Sequence, residues 1–336
     1  MNFYNLKHKE EQLNFKEATI KGQGKDKGLF FPEDISKFSN EFLQNLPNLS
    51  NEEIAFQVMK DFAGDEIPEA ELRKIVAETI AFDIPLKKVT ENISVLELFH
   101  GPTLAFKDVG ARFMSRCLGY FLKNETRKVT VLVATSGDTG GAVANGFYDV
   151  EGIEVVILYP KNRVSPVQEK QLTALGKNIH ALEVNGSFDD CQALVKQAFS
   201  DESLTEKLLL TSANSINVAR WLPQQIYYVL ALKQWLKIHS ENPVICVPSG
   251  NFGNICAGIL AHHRGLPVEH FIAACNVNDV IPEYLRTEIL QPKETIATIS
   301  NAMDVGDPSN FVRILELFDK EFNQVKNKLS GYTIDD

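Results

Sequence analysis

The chain has 336 residues, 44% hydrophobic and 23% charged, with a formal net charge of -10, the make-up of a globular protein too long for one ordinary core. The acidic balance and the lack of any block of basic residues exclude nucleic acid and anionic membrane as partners, so an anionic ligand needs local devices: backbone N–H groups, helix starts and a few placed cations. No run of about 18 apolar residues is present to span a membrane, and the charged opening stretch has no apolar signal-peptide core. Residues 1–85 read as a small, mostly helical unit. "SNEEIAFQVMKDFAG" and "PEAELRKIVAETIAFDI" carry apolar residues at three- and four-residue spacing behind acidic first turns. "KGQGKDKGLFFPED" reads as a surface loop, because the GxxxxGK[ST] pattern of a phosphate loop is absent.

From residue 86 the rhythm changes to short apolar strands alternating with helices. "KVTVLVATSGDTGGAVANGFY" gives a β-branched strand over 129–134, a polar loop and a small-residue helix. Further strands are expected in "GIEVVILYPKN", "NIHALEVNG", "KLLLTSA", "PVICVPSG" and "HFIAACNVND". Helices are expected in "VSPVQEKQLTALG", ending at Gly176, and in "SFDDCQALVKQAFSDESL", with Ser187 as N-cap. The closing "FVRILELFDKEFNQVKNKLSGYTIDD" reads as helical. This alternation predicts an α/β fold with parallel, doubly wound sheets, whose ligands bind at the carboxyl ends of the strands.

Three polar loops follow strands: "TSGDTGG" at 135–141, "TSANSINVAR" at 211–220 and "PSGNFGN" at 248–254. Glycine lets backbone N–H groups approach a ligand, and the helix that follows turns its positive end toward it, so each loop suits a carboxylate or a phosphate. An ordinary strand-to-helix turn is the alternative for any one of them. None matches GxGxxG or the P-loop, so nicotinamide and ATP chemistry are weakly supported.

Lys107 in "LAFKDVGARF" is the candidate nucleophile. Val109, Phe113, Cys117 and Phe121 fall four residues apart, predicting a helix over 107–123 with Lys107 in its first turn. The helix dipole and Phe106 would both favour the free amine that forms a Schiff base; the alternative is a lysine that curls out to water beside Asp108. The histidines at 100, 180, 262, 263 and 270 show no triad or metal spacing, and a structural hydrogen bond is expected of His100. A hydrolase GxSxG elbow is absent. Cys117, Cys191, Cys246, Cys256 and Cys275 form no CxxC pair, so no metal is expected and the thiols suit a reducing cytosol.

The blocks "LFHGPTLAFKDVGARFM", "VATSGDTGGAVA", "VVILYPKNRVSPVQEKQ", "TSANSINVARWLPQ", "VPSGNFGNICAG", "AACNVND" and "SNAMDVGDPSN" occur in the order seen in the threonine synthase family. "NFKEATIKGQGKDKGLFFPEDI" resembles the N-terminal domain of that family. The resemblance covers nearly the whole chain. It implies a fold-type-II pyridoxal 5′-phosphate enzyme, tryptophan synthase β-like, with two open sheets, a cofactor cleft between them and a small N-terminal domain. The implied domains are 1–85, a larger cofactor-binding domain from 86–116 and 211–336, and a smaller α/β domain over 117–210. The implied reaction is a β,γ-replacement turning O-phospho-L-homoserine and water into L-threonine and phosphate, the last step of threonine biosynthesis, by a cytoplasmic monomer or homodimer.

By the same resemblance Lys107 carries the cofactor, and its freed amine takes the substrate Cα proton. Gly250, Asn251, Phe252, Gly253 and Asn254 hold the cofactor phosphate, and Asp138 lies close to the cofactor 3-hydroxyl. Thr135, Ser136, Gly137 and Thr139 grip the substrate carboxylate. Asn214, Asn217 and Arg220 take the substrate phosphate, with Arg112 a further candidate whose alternative is a surface salt bridge. Family members run on beyond the point matching Asp336, and a Ser or Thr in that last segment is expected to meet the pyridine nitrogen. The rival readings are another lyase of this fold, such as a threonine dehydratase, and a non-catalytic relative that binds phosphorylated ligands.

Overall fold

The computed structural model describes residues 1–123, 125 and 128–335. Two compact units form: Met1–Glu33, Met59–Asp83 and Glu97–Pro223 make the first, and Asp34–Val58, Ile84–Leu96 and Gln224–Asp336 the second.

The core sheet of the first unit has four parallel strands in the order Ile179–Val184, Ile153–Pro160, Val129–Ala134 and Leu209–Ser212. Val129–Ala134 is buried along its whole length, as a central parallel strand covered on both faces must be, and its β-branched run satisfies that demand. The chain leaves this strand toward one edge and returns on its other side at Leu209–Ser212. The carboxyl ends of these two neighbouring strands are therefore the switch point of the sheet, where a ligand crevice is expected. The helix Lys107–Leu122 buries Val109, Phe113, Cys117 and Phe121, the four positions its spacing singled out.

The first 33 residues are less helical than expected. Strands Gln12–Asn14, Asn2–Asn5 and Phe30–Pro32 form an antiparallel sheet in that order. Strands of three or four residues are too short to display a two-residue alternation, and tertiary contacts fix them. Phe15 meets Phe113 and Phe121 at ring distances of 6.4 and 6.1 Å, and Phe31 stacks on Trp221 at 5.9 Å.

The Gly/Lys-rich turn that follows is structural. The Asn5 amide donates to Glu11 Oε2 at 2.5 Å and to the Lys25 carbonyl at 3.1 Å, while the Lys25 N–H and Lys21 Nζ donate to the Glu11 carboxylate at 2.9 and 2.6 Å. Burial alone would raise the Glu11 pKa, but the bonds from Lys21, Asn5 and Lys25 outweigh it and bring the carboxyl from 4.5 down to about 2. A carboxyl lowered on folding adds stability that is complete above its unfolded pKa and is lost as pH falls through the folded one. Glu11→Gln is therefore expected to cost about 2 kcal/mol at neutral pH. In urea titrations the gap to wild type should shrink to less than half by about pH 3; a gap that stays constant with pH would refute the carboxylate as its source.

The second unit holds a parallel sheet of Val244–Pro248, His270–Cys275 and Leu329–Thr333 and an antiparallel pair, Leu86–Lys88 with Ser94–Leu96. Leu329–Thr333 corrects the helical reading of the chain's last residues. Helices Phe311–Leu317 and Phe322–Lys328 are present, but the chain then pairs along His270–Cys275, and pairing rather than local pattern decides the strand. Among the described residues no helix is long and apolar enough to cross a membrane.

Candidate active site

Lys107 is the first residue of its helix, and Phe106 ahead of it offers no side-chain cap. Its Nζ lies 3.0 and 2.9 Å from the two carboxylate oxygens of Asp138 and 2.9 Å from Thr139 Oγ1, and 5.7 Å from the centre of the Phe106 ring. The lysine thus points to the loop at the carboxyl end of Val129–Ala134, not out to water beside Asp108.

Asp108 faces the other way. It is 1% exposed, and its carboxylate accepts bonds from the Thr103 N–H and hydroxyl. Burial pushes its pKa up against those bonds and the nearby Arg112 charge. The Gly-Pro-Thr turn is thereby tied to the helix start, and this tie aims Lys107. Sequence reading took Asp108 only for a neighbour of the lysine. His100 makes the structural bond expected of it, 2.7 Å to Glu97 Oε2.

The loop that meets Lys107 is built around two residues. The Thr135 hydroxyl accepts the N–H groups of Gly137 and Gly140 at 2.9 and 2.8 Å, so it closes the loop on itself. Gly137 has φ +141°, a conformation that L side chains rarely adopt, and a Cβ there would lie 2.4 Å from Gln168 Cδ. Helix Asp138–Phe147 then begins, with Asp138 Oδ1 accepting the Thr139 N–H at 2.9 Å. Ser136 is half-buried beside them. Gln168 and Gln171, on helix Pro166–Thr173, complete the surroundings: Gln171 donates to the Thr103 carbonyl at 3.3 Å.

The second loop at the switch point follows Leu209–Ser212. Asn217, fully buried, donates to the carbonyls of Thr19 and Ser212 at 2.9 and 3.2 Å and caps helix Val218–Trp221 by accepting the Ala219 N–H at 3.0 Å. Arg220 is 3% exposed and donates to the Ala213 carbonyl. The half-buried Asn214 sits in the same turn, its N–H donating to Ser212 Oγ at 3.3 Å. Arg112 is not a surface ion pair: its guanidinium donates twice to the Glu78 carbonyl, at 3.1 and 2.6 Å, and burial followed by the Arg116 charge lowers its pKa.

The glycine turn belongs to the second unit. After Val244–Pro248 the chain passes through Ser249, Gly250, Asn251 and Phe252, the last at φ +62°, into helix Gly253–His263, whose start has no side-chain cap. An uncapped start of an 11-residue helix behind a tight turn is a donor set for a phosphate. Gly250 is required on steric grounds, since a Cβ would lie 2.7 Å from Met303 Cα and 2.8 Å from its carbonyl oxygen. Asn254 donates to the Pro248 carbonyl at 2.7 Å, and Asn251 Oδ1 accepts the Ser309 N–H at 2.7 Å. The amine beside a carboxylate and a hydroxyl suits a Schiff-base cofactor, and the uncapped turn before helix Gly253–His263 suits a phosphate.

Comparisons with known proteins agree. Residues 83–328 match the family described as pyridoxal-phosphate dependent enzyme, and residues 2–80 match the threonine synthase N terminus. A curated threonine synthase of Haemophilus influenzae is 50% identical over 318 residues, covering 95% of this chain and 74% of the relative. The crystal structure of threonine synthase from Escherichia coli superposes with a TM-score of 0.93 at 47% identity, over 100% of this chain and 78% of that one. A PLP-bound threonine synthase from Brucella melitensis gives 0.92 at 35% identity, over 100% and 78%. A threonine deaminase of Solanum lycopersicum, at 14% identity and a TM-score of 0.56 over 79% and 70%, shares the fold alone. The chain is a fold-type-II pyridoxal-phosphate-dependent lyase and belongs to the threonine synthase family.

Proposed function

We propose that the chain converts O-phospho-L-homoserine and water to L-threonine and phosphate in the cytoplasm, with Lys107 as its catalytic residue. The observation that carries the reading is the Lys107 amine held by Asp138 and Thr139 at the carboxyl end of the central strand. Bound pyridoxal phosphate supplies the electron sink that makes the substrate's Cα–H acidic. Lys107 is the residue that would hold the cofactor through its amine, and the same amine, when free, would move the substrate's Cα proton. Asp138 orients that amine and would lie close to the 3-hydroxyl of a bound cofactor. The N–H groups of Gly250, Asn251, Phe252, Gly253 and Asn254 hold the cofactor phosphate. Ser136, Gly137 and Thr139 take the substrate carboxylate, with the Thr135 hydroxyl keeping their loop shaped for it.

For the substrate phosphate, Asn214 is the contact. The bonds of Asn217, Arg220 and Arg112 to backbone carbonyls support positioning roles for them, since a guanidinium or amide already occupied has fewer donors left for a ligand. The formal charge of -10 repels a dianionic substrate at long range, so these local donors must supply the attraction.

A substrate screen separates this reading from its rival. The chain supplied with cofactor is expected to release phosphate from O-phospho-L-homoserine with threonine as co-product. If threonine yields 2-oxobutyrate and phosphohomoserine yields no phosphate, the dehydratase reading wins.

A further inference from the structure

Two stretches singled out in the sequence, 273–279 and 300–310, have no part in the reaction above, and they meet behind the glycine turn. Asp304 is their hub. Its Oδ1 accepts Thr298 Oγ1 at 2.7 Å, Asn276 Nδ2 at 2.8 Å and Asn278 Nδ2 at 3.4 Å, and its Oδ2 accepts the Thr298 N–H at 2.9 Å. Asn276 and Asn278 are each 7% exposed and directly follow the strand His270–Cys275. The Asn278 side chain pairs with the backbone of Ile296 in both directions, at 2.8 Å each way. Lys293 and Gly306 close the neck of this excursion through an N–H···O bond of 2.9 Å.

The consequence falls on Gly250. Met303, next to Asp304, has its N–H bonded to the Ser300 carbonyl at 2.8 Å, and its backbone lies where a Gly250 Cβ would be. Further along, the N–H groups of Ser309 and Asn310 bond Asn251 Oδ1 and the Asn251 carbonyl at 2.7 and 3.3 Å. Consecutive residues of the turn are thus clasped by a segment whose own position is set by the Asp304 knot. We propose that Asp304, tied by Asn276 and Thr298, is a positioning residue that fixes the shape of the phosphate-holding turn at Gly250. Its role is to hold the turn, not to contact cofactor or substrate. The inference rests on the reading that Gly250–Asn254 hold the cofactor phosphate.

The test compares binding of pyridoxal 5′-phosphate with binding of pyridoxal, which lacks the phosphate, by spectroscopic titration of the full chain. Asp304→Ala and Asn276→Ala should each weaken pyridoxal phosphate by about tenfold or more, as loss of a partner behind a ligand commonly does, and leave pyridoxal unchanged. Thr298→Val should do the same and Thr298→Ser should restore the wild-type ratio; this pair decides the matter if Asp304→Ala does not fold. Gly250→Val is the control, expected to lose phosphate discrimination directly. If it does while the knot variants keep the wild-type ratio, or weaken both ligands equally, the positioning role is overturned. If Gly250→Val itself keeps the ratio, the phosphate-holding reading falls, a separate and distinguishable failure.

Discussion

Lys107→Ala is expected to lower phosphate release from O-phospho-L-homoserine by three orders of magnitude or more. The amine is asked to bond the cofactor and to move the Cα proton, and a positioned base alone is worth about 10²–10⁴-fold. The fold should survive. The lysine and Asp138 side chains are 19% and 17% exposed, and Asp138 keeps its bond to the Thr139 N–H, so losing the cation should cost about 1–3 kcal/mol and leave the variant folded. Lys107→Arg should not rescue activity, because a guanidinium stays protonated and cannot serve as base. A variant folded by thermal melt with a rate within about tenfold of wild type would show that another group does the chemistry.

The largest stability effect is expected at Arg264, which closes helix Gly253–His263 in the second unit and is fully buried. Its guanidinium donates to the carbonyls of Ser36 and Val58 at 3.1 and 2.7 Å and to Gln225 Oε1 at 3.4 Å, and it lies 4.1 Å from the centre of the Phe38 ring. The Arg264 carbonyl in turn accepts the Phe38 N–H at 2.7 Å. One side chain therefore pins the segment Asp34–Val58 to its unit. Arg264→Ala leaves a cavity and orphans buried carbonyls, two penalties that together come to about 4 kcal/mol. Lysine offers a compact ammonium without the planar fork and should recover less than half of that. Urea denaturation measures the difference, and a loss below about 1 kcal/mol would mean that water or rearrangement satisfies those carbonyls at little cost.

How far the sequence could be read depended on whether a feature was local. The parallel strands other than Leu329–Thr333 were legible from their apolar runs, most clearly Val129–Ala134, which is buried along its whole length. The helix at Lys107 was legible from its four-residue spacing, and the turns at 135–141 and 248–254 from their glycines. The short strands Asn2–Asn5, Gln12–Asn14 and Phe30–Pro32 and the closing Leu329–Thr333 were not, since pairing and not local pattern defines them. At the site, residue types did not reveal that Asp108 would turn to Thr103, or that Asn217 and Arg220 would each donate to a backbone carbonyl. The Asp304 knot was equally hidden: its partners Asn276 and Thr298 come from separate stretches that only the fold brings together.

The central claim is that water replaces the γ-phosphate by addition at Cβ, and the position of its oxygen tests that most directly. The chain with pyridoxal phosphate is given O-phospho-L-homoserine in ¹⁸O-labelled water, and the products are read by mass spectrometry. The account predicts one labelled oxygen in the threonine hydroxyl and none in the phosphate, because the Cγ–O bond breaks. Label in the phosphate with homoserine as co-product would mean plain phosphate-ester hydrolysis and would contradict it.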